Sequence, residues 1–335
     1  MGIDLSITWF TIIIFSTLMY IVMDGFDLGI GILFPFNKNT TERDMMVNTV
    51  APVWDGNETW LVLGGAALYG AFPLAYSVIV DALSIPLTIM LIGLIFRGVA
   101  FEFRFKATPE HRPFWDKAFI VGSIIATFSQ GVIVGAVLNG FEVSHRTYIG
   151  PVLNWFAPFP LFCGIGLVIA YALLGCTWLI MKTEGELHRK MSNLAKPLTL
   201  ILFGIITVIS VWTPLAHKDI ADRWFNIPNI FLFSPVPLLV FALSVGIIKF
   251  SKNKASYGPF ILTLGLVFIG FSGLGISIWP NIIPPSISIW AAASPPQSQG
   301  FMLVGGLLII PVILMYTCWS YYVFRGKIKP NEGYH

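Results

Sequence analysis

The sequence predicts an all-α, polytopic membrane protein of about nine transmembrane helices, from its composition, the spacing of its apolar runs and the asymmetry of its basic residues. Hydrophobic residues make up 56% of the 335-residue chain and charged residues only 11%, with a mean hydropathy of +0.79. A soluble chain is about a quarter charged. Too little polar surface exists here to face water, so the bilayer must be the main solvent. The net charge of +3 is far from the strongly basic character of a nucleic-acid binder, and no nucleic acid is expected as a partner.

Nine continuous apolar runs mark the spans, at 7–34, 55–74, 77–101, 117–138, 158–181, 196–215, 231–249, 258–279 and 301–324. The stretch from Trp60 to Phe101 is too long for one span, and Pro73 divides it. Continuous rather than alternating runs exclude a transmembrane β-barrel. No Lys or Arg precedes the first run and no small-residue cleavage site follows it, so it is expected to be a retained span. The chain is taken as one integral membrane domain, 1–335, with a division into bundles at 1–138 and 158–279 and a peripheral last helix at 301–324.

Orientation follows from the basic residues. With the N-terminus outside, sixteen of the twenty Lys and Arg residues fall in cytoplasmic segments, Lys254 and Lys329 among them. Arg146, Lys218 and Arg223 fall outside, and Arg97 lies within the third span. That asymmetry places the C-terminus in the cytoplasm, anchored by Trp319, Tyr321, Tyr322 and Arg325.

Carboxylates inside spans are the candidate functional groups, because they are costly there and face a protein interior or a wet cavity. Asp24 and Asp27 share one face of the first span, and Gly25 and Gly29 permit a close helix neighbour beside them. Asp55 and Glu58 repeat the spacing at the start of the second span, between Trp54 and Trp60. A plainer reading of the first pair is a wet helix end paired to a basic residue. For the second it is an acidic start that complements the helix dipole, with tryptophans as interface anchors. The two antiparallel spans bring all four acids to a similar depth near the cytoplasmic side, where they could pass protons. Arg97 is either a counter-ion to one acid or a side chain that snorkels to the interface. Asp81 takes a surface position near the outer end of its span.

His111, His145, His188, His217 and His335 all fall in loops or tails of this span map, so haem ligation by a histidine pair is not expected. Met19, Met23 and Met90 read as core packing. Cys163, Cys176 and Cys318 lie in apolar runs without metal-ligand spacing and read as buried, inert thiols. No P-loop, Rossmann glycine pattern, HExxH or nucleophile elbow is present. Asn39-Thr-Thr41 matches a glycosylation pattern in a segment expected to be cytoplasmic.

The motif Asp24-Gly-Phe-Asp27-Leu-Gly-Ile-Gly resembles the signature of subunit II of bd-type quinol oxidases. Thr41-Glu42-Arg43, the run from Ala51 to Trp60, Phe96 to Arg104, Pro158 to Gly164 and Trp319 to Tyr322 resemble the same family in order and spacing. The resemblance implies a terminal oxidase of the bacterial cytoplasmic membrane that oxidises quinol and reduces dioxygen to water. It implies a haem-free chain with a fold like that of subunit I, the partner that holds two haems b and one haem d and the quinol-oxidation loop. It gives Asp55 a place on a proton path into the partner and Trp60 a place near an apolar dioxygen route. It also implies, in some members, a structural quinone in subunit II and small single-span subunits. Trp290 is followed by Ala291 where many relatives carry an acid, a departure that resembles the cyanide-insensitive branch, so the resemblance implies either haem d or a b-type substitute in the partner.

Two other functions fit intramembrane acids. A proton-coupled secondary transporter would place its site at mid-membrane, between broken helices of both halves; here the acids lie in one half, near one side. A purely structural membrane subunit would use them for assembly alone.

Overall fold

A computed structural model of the chain describes residues 4–252 and 257–328. Lys254, Lys329 and His335, which entered the charge and histidine readings, lie outside the described residues. The helix α1 (Leu5–Leu33) is capped by Asp4, whose side chain accepts from the Ser6 and Ile7 amides, and it ends in a 3₁₀ turn at Pro35. A short helix, α2 (Thr40–Asn48), follows. Its cap is Asn39, so the side chain of the glycosylation-like motif is engaged by the Thr41 and Glu42 amides.

The helices α3 (Trp54–Ala71) and α4 (Pro73–Lys106) form a hairpin hinged at Pro73, as the sequence predicts. Within α4, Leu83 leaves helical geometry three residues before Pro86, which lacks the N–H of a regular turn and clashes with the one before it. Next come α5 (Arg112–Asn139), the hairpin β1 (Val143–Ser144) and β2 (Thr147–Tyr148), and α6 (Pro158–Lys182). The second half holds α7 (Gly185–Ala216), the short α8 (Lys218–Phe225) and α9 (Asn229–Phe233), α10 (Pro235–Phe250) and α11 (Gly258–Ile278). The hairpin β3 (Asn281–Ile283) and β4 (Ile287–Ser288), the single turn α12 (Ile289–Ala292) and α13 (Pro296–Val323) complete the chain.

Among the described residues, eight helices are long and apolar enough to cross a membrane. The remaining predicted span, 55–74, is α3, an 18-residue helix about 27 Å long. Its first turns hold Asp55, Asn57 and Glu58 and its middle is Gly and Ala, which lowers its hydropathy below that of its neighbours. A second difference is α7, which begins eleven residues before the predicted start at 196. That extension is amphipathic, with Leu187 and Met191 buried while Glu186 and Arg189 stay exposed, so an apolar-run criterion passes over it.

The bundle is centred on α1, which packs against α3, α5, α6 and α13. From Met23 to Leu33 every residue of α1 is buried. The Gly29 position makes this possible: a Cβ there would stand 1.9 Å from the Tyr171 backbone oxygen of α6. One end of the bundle gathers the Lys- and Arg-rich segments. There Lys190 meets Glu42, Lys327 meets Glu184, and Lys182 donates to the Phe324 and Gly326 carbonyls at the end of α13. This is called the basic end below.

Candidate functional site: a buried acid cluster

Asp24 and Asp27 lie on the stretch of α1 enclosed on all sides, and both are fully buried. Arg97, also fully buried, comes from α4. Its Nη2 donates to Asp24 Oδ1 and lies 2.9 Å from Glu58 Oε1 of α3. Arg97 is thus enclosed beside two carboxylates rather than extended to the surface. The guanidinium also rests over the rings of Trp54 and Phe101, which stack on each other at 5.2 Å. Asp27 is held differently: Asn57 Nδ2 donates to its Oδ2 at 2.7 Å, and Tyr321 of α13 donates to Asn57 Oδ1 at 2.9 Å. Tyr20, one turn from Asp24, lies against that carboxyl and accepts from Gln130, which in turn accepts from Tyr171.

Two of the four predicted acids, Asp24 and Glu58, therefore pair with one guanidinium, while Asp27, one turn along α1 from Asp24, is held by Asn57. Asp24 and Asp27 are sealed inside, while the Glu58 side chain is 29% exposed. Asp55 is the exception to the reading of four acids at one level. It is exposed, one turn before Glu58 on the open side of α3, and forms no ion pair with Arg97. Several polar atoms in the cluster face no protein partner: Asp24 Oδ2, Asp27 Oδ1, and Arg97 Nε and Nη1. Trp60 is not an interface anchor. It is fully buried, meets Phe15 edge to face at 5.6 Å, and sits with Tyr20 and Met23 in a small apolar cluster.

A family model described as cytochrome bd terminal oxidase subunit II matches residues 5–324. The chain belongs to that family. It is 28% identical to cytochrome bd-I ubiquinol oxidase subunit 2 of Escherichia coli strain K12, over 98% of this chain and 96% of that one. It is 26% identical to cytochrome bd ubiquinol oxidase subunit 2 of Bacillus subtilis strain 168, over 97% of both chains. The fold matches a solved structure of bd oxidase from Geobacillus thermodenitrificans at a TM-score of 0.77 and 16% identity, covering 96% of this chain and 99% of that one. The chain is thus a multi-pass membrane subunit of a bd-type oxidase.

The described histidines of this subunit II stand at helix ends or in the β1–β2 turn. His111 Nδ1 meets Thr108, His217 meets Asn139, and His188 meets the Ile180 carbonyl at 3.0 Å. His188 differs from the loop placement expected for it, because α7 starts early and takes it into the first helical turn. These residues do not fit a haem held inside the bundle, and among the described residues no group of three or more His, Cys, Asp or Glu could hold a metal ion. Cys163 and Cys176 are buried as expected, whereas Cys318 is exposed on α13.

Sequence reasoning missed Asn57, Tyr321, Tyr20, Gln130 and Tyr171, because uncharged polar groups in a span carry no warning of their own. It also missed a second ionic cluster at the basic end. There Asp116 accepts from Arg43 at 2.8 Å and Arg104 at 2.6 Å, and Asp44 accepts from Arg104 at 2.7 Å and Arg112 at 2.8 Å. At the opposite end Trp290 donates to Asp4 at 2.8 Å, and that bond holds the Asp4 carboxyl below its ordinary range.

Proposed function

We propose that this subunit II carries no haem, stabilises a haem-bearing subunit I, and supplies part of a path that brings protons from the cytoplasm to the site of dioxygen reduction. The single observation that carries the reading is the run of carboxyls from exposed Asp55, through half-open Glu58, to sealed Asp24 and Asp27, with Arg97 between them. Intramembrane carboxyls arranged from a surface inwards suit proton relay. Under this reading the basic end is cytoplasmic and the N-terminus lies outside. The membrane is the bacterial cytoplasmic (inner) membrane. The quinol-oxidation site, two haems b and one haem d or a b-type substitute belong to the partner, and quinol and dioxygen are the substrates of the complex. A structural quinone, small single-span subunits and a division into two helix bundles with α13 at the edge belong to the same proposal.

The surface supports a partner on the α3–α4 side. Ser77, Asp81, Ser84 and Thr88 of α4 are all exposed and recur at helical spacing, a polar stripe in an apolar helix. A carboxylate turned towards lipid is costly, so such a stripe belongs against protein. The open side of α3, with Asp55, Val62 and Tyr69 exposed, continues that surface.

The test is Asp55→Asn in the purified complex. The variant is expected to keep a normal haem spectrum and to reduce dioxygen more slowly; normal turnover would sink the proton-path role. Failure of this chain to co-purify with a haem-bearing partner would overturn the assembly. The transporter reading predicts solute uptake by this chain alone in liposomes, and none is expected.

A further inference from the structure

The helix α5 carries a second polar column. Asp116, Ser123, Thr127 and Gln130 recur at helical spacing along one side of it, and all four are buried. Its lower end is tied to the basic end of the bundle, where Asp116 accepts from Arg43 and Arg104. Its upper end is tied to the acid cluster, where Gln130 donates to Tyr20 beside Asp24.

Between those ends, Ser123 and Thr127 are fully buried, and neither hydroxyl has a hydrogen-bond partner. Ser16, one turn beyond Tyr20 on α1, is in the same state. Helix geometry does not force this. Thr177, Thr199, Ser244 and Thr263 are also buried in helices, and each donates to the carbonyl four residues before it. Two contacts set the antiparallel register of α1 and α5. Phe34 and Phe119 meet edge to face at 4.9 Å, and a Cβ on Gly31 would stand 2.1 Å from Ser123 Oγ. That register brings Thr127 level with Asp27 and Gln130 level with Asp24. Asp27 Oδ1 and Asp24 Oδ2 are themselves without partners. Each buried polar group left unpaired costs about 1–3 kcal/mol. Unpaired groups gathered along one seam are the usual surroundings of ordered water.

We propose that the seam between α1 and α5 holds a file of ordered water that carries protons from the basic end of the bundle, past Ser123 and Thr127, to Asp27 and Asp24. It is a second inlet, internal to this subunit and separate from Asp55 and Glu58 on the open side of α3. It rests on the reading of the acid cluster as part of a proton path. Each hydroxyl accepts a hydrogen bond from the water on one side and donates to the water on the other. An excess proton then passes by exchange of bonds along the file and arrives on a carboxylate oxygen, with no other atom displaced. The Phe34–Phe119 pair is an apolar stretch that the water must pass.

The experiment uses the purified complex with Thr127→Val, Thr127→Ser, Ser123→Ala and Glu58→Gln. Thr127→Val is expected to slow dioxygen reduction about tenfold at unchanged haem content, which corresponds to about 1.4 kcal/mol. It is also expected to enlarge the H₂O/D₂O rate ratio. Thr127→Ser, which keeps the hydroxyl, should restore the rate, and Ser123→Ala should be slowed as well. If Thr127→Ser is as slow as Thr127→Val, the role is packing and the water file is overturned. Normal turnover in Thr127→Val and Ser123→Ala with a slow Glu58→Gln overturns the file and leaves the acid-cluster reading standing; normal turnover in all of them overturns both. A map of the complex that resolves ordered water and shows a dry seam at Ser123 and Thr127 also overturns the proposal.

Discussion

Two ionic clusters stand at different depths of this bundle, and their balance differs. At the basic end, Arg43, Arg104 and Arg112 surround Asp44 and Asp116, and both oxygens of Asp116 are engaged. Cations outnumber acids, and both aspartates are answered by two arginines. In the buried cluster three acids stand with one cation: Asp24 and Glu58 pair with Arg97, Asp27 is answered only by Asn57, and carboxyl oxygens are left without protein partners. The first is built as a latch between α2, α4 and α5. The second is built with acids in excess of its cation and with open acceptor positions, which suits groups that hold and release protons. Under the proposed proton path, charge inside this protein has two uses, and pairing tells them apart.

The largest expected effect comes from Arg97→Leu, which would leave Asp24 buried without its cation at a cost of about 3–5 kcal/mol. The complex should be lost from membranes or should release its haem spectrum at a markedly lower temperature. Restoring assembly with an added Asp24→Asn would show that the uncompensated charge was the cause. Arg104→Leu should cost less, about 1–3 kcal/mol, because Arg43 still answers Asp116 and the Asp44 side chain is 30% exposed. Its mark should be a lower melting temperature with near-normal turnover per haem. A turnover defect as large as that of the buried cluster would erase the distinction between the two.

Asp27→Asn keeps the size of the side chain and should leave stability nearly unchanged. It should slow dioxygen reduction by about tenfold, or 1.4 kcal/mol, in single-turnover measurements of the complex. The smallest effect is expected at the exposed Asp4–Trp290 pair. The Asp4 carboxyl is held below its ordinary range, so its contribution is present at neutral pH and is lost as the pH falls below about 3.9 through the depressed value. Trp290 fluorescence against pH would follow the loss, and Asp4→Asn should abolish the transition without altering activity.

Much of the fold was legible because apolar runs and prolines act locally. Pro73 marks the α3–α4 hairpin, and the Gly29 spacing marks a close helix pair. The differences have local causes too. The polar opening of α3, from Asp55 to Glu58, lowers its hydropathy, and the amphipathic start of α7 hides a helical extension among charged residues. In the site, Asp24, Asp27, Glu58 and Arg97 stood out because a charge in an apolar run is conspicuous. Thr127, Gln130 and Tyr321 did not, because a neutral polar residue in a span is commonplace and its meaning lies in what it faces.

The sequence by itself determined that this chain spans a membrane many times, that its family is that of bd oxidase subunit II, and which acids lie within the spans. Only the tertiary structure decided that Arg97 pairs with Asp24, 73 residues away, that Asp27 answers to Asn57 and Tyr321, and that Asp55 stays outside the cluster. The physical reason is that helical periodicity gives each residue a face and a depth. Which neighbour meets that face is set by how the helices pack.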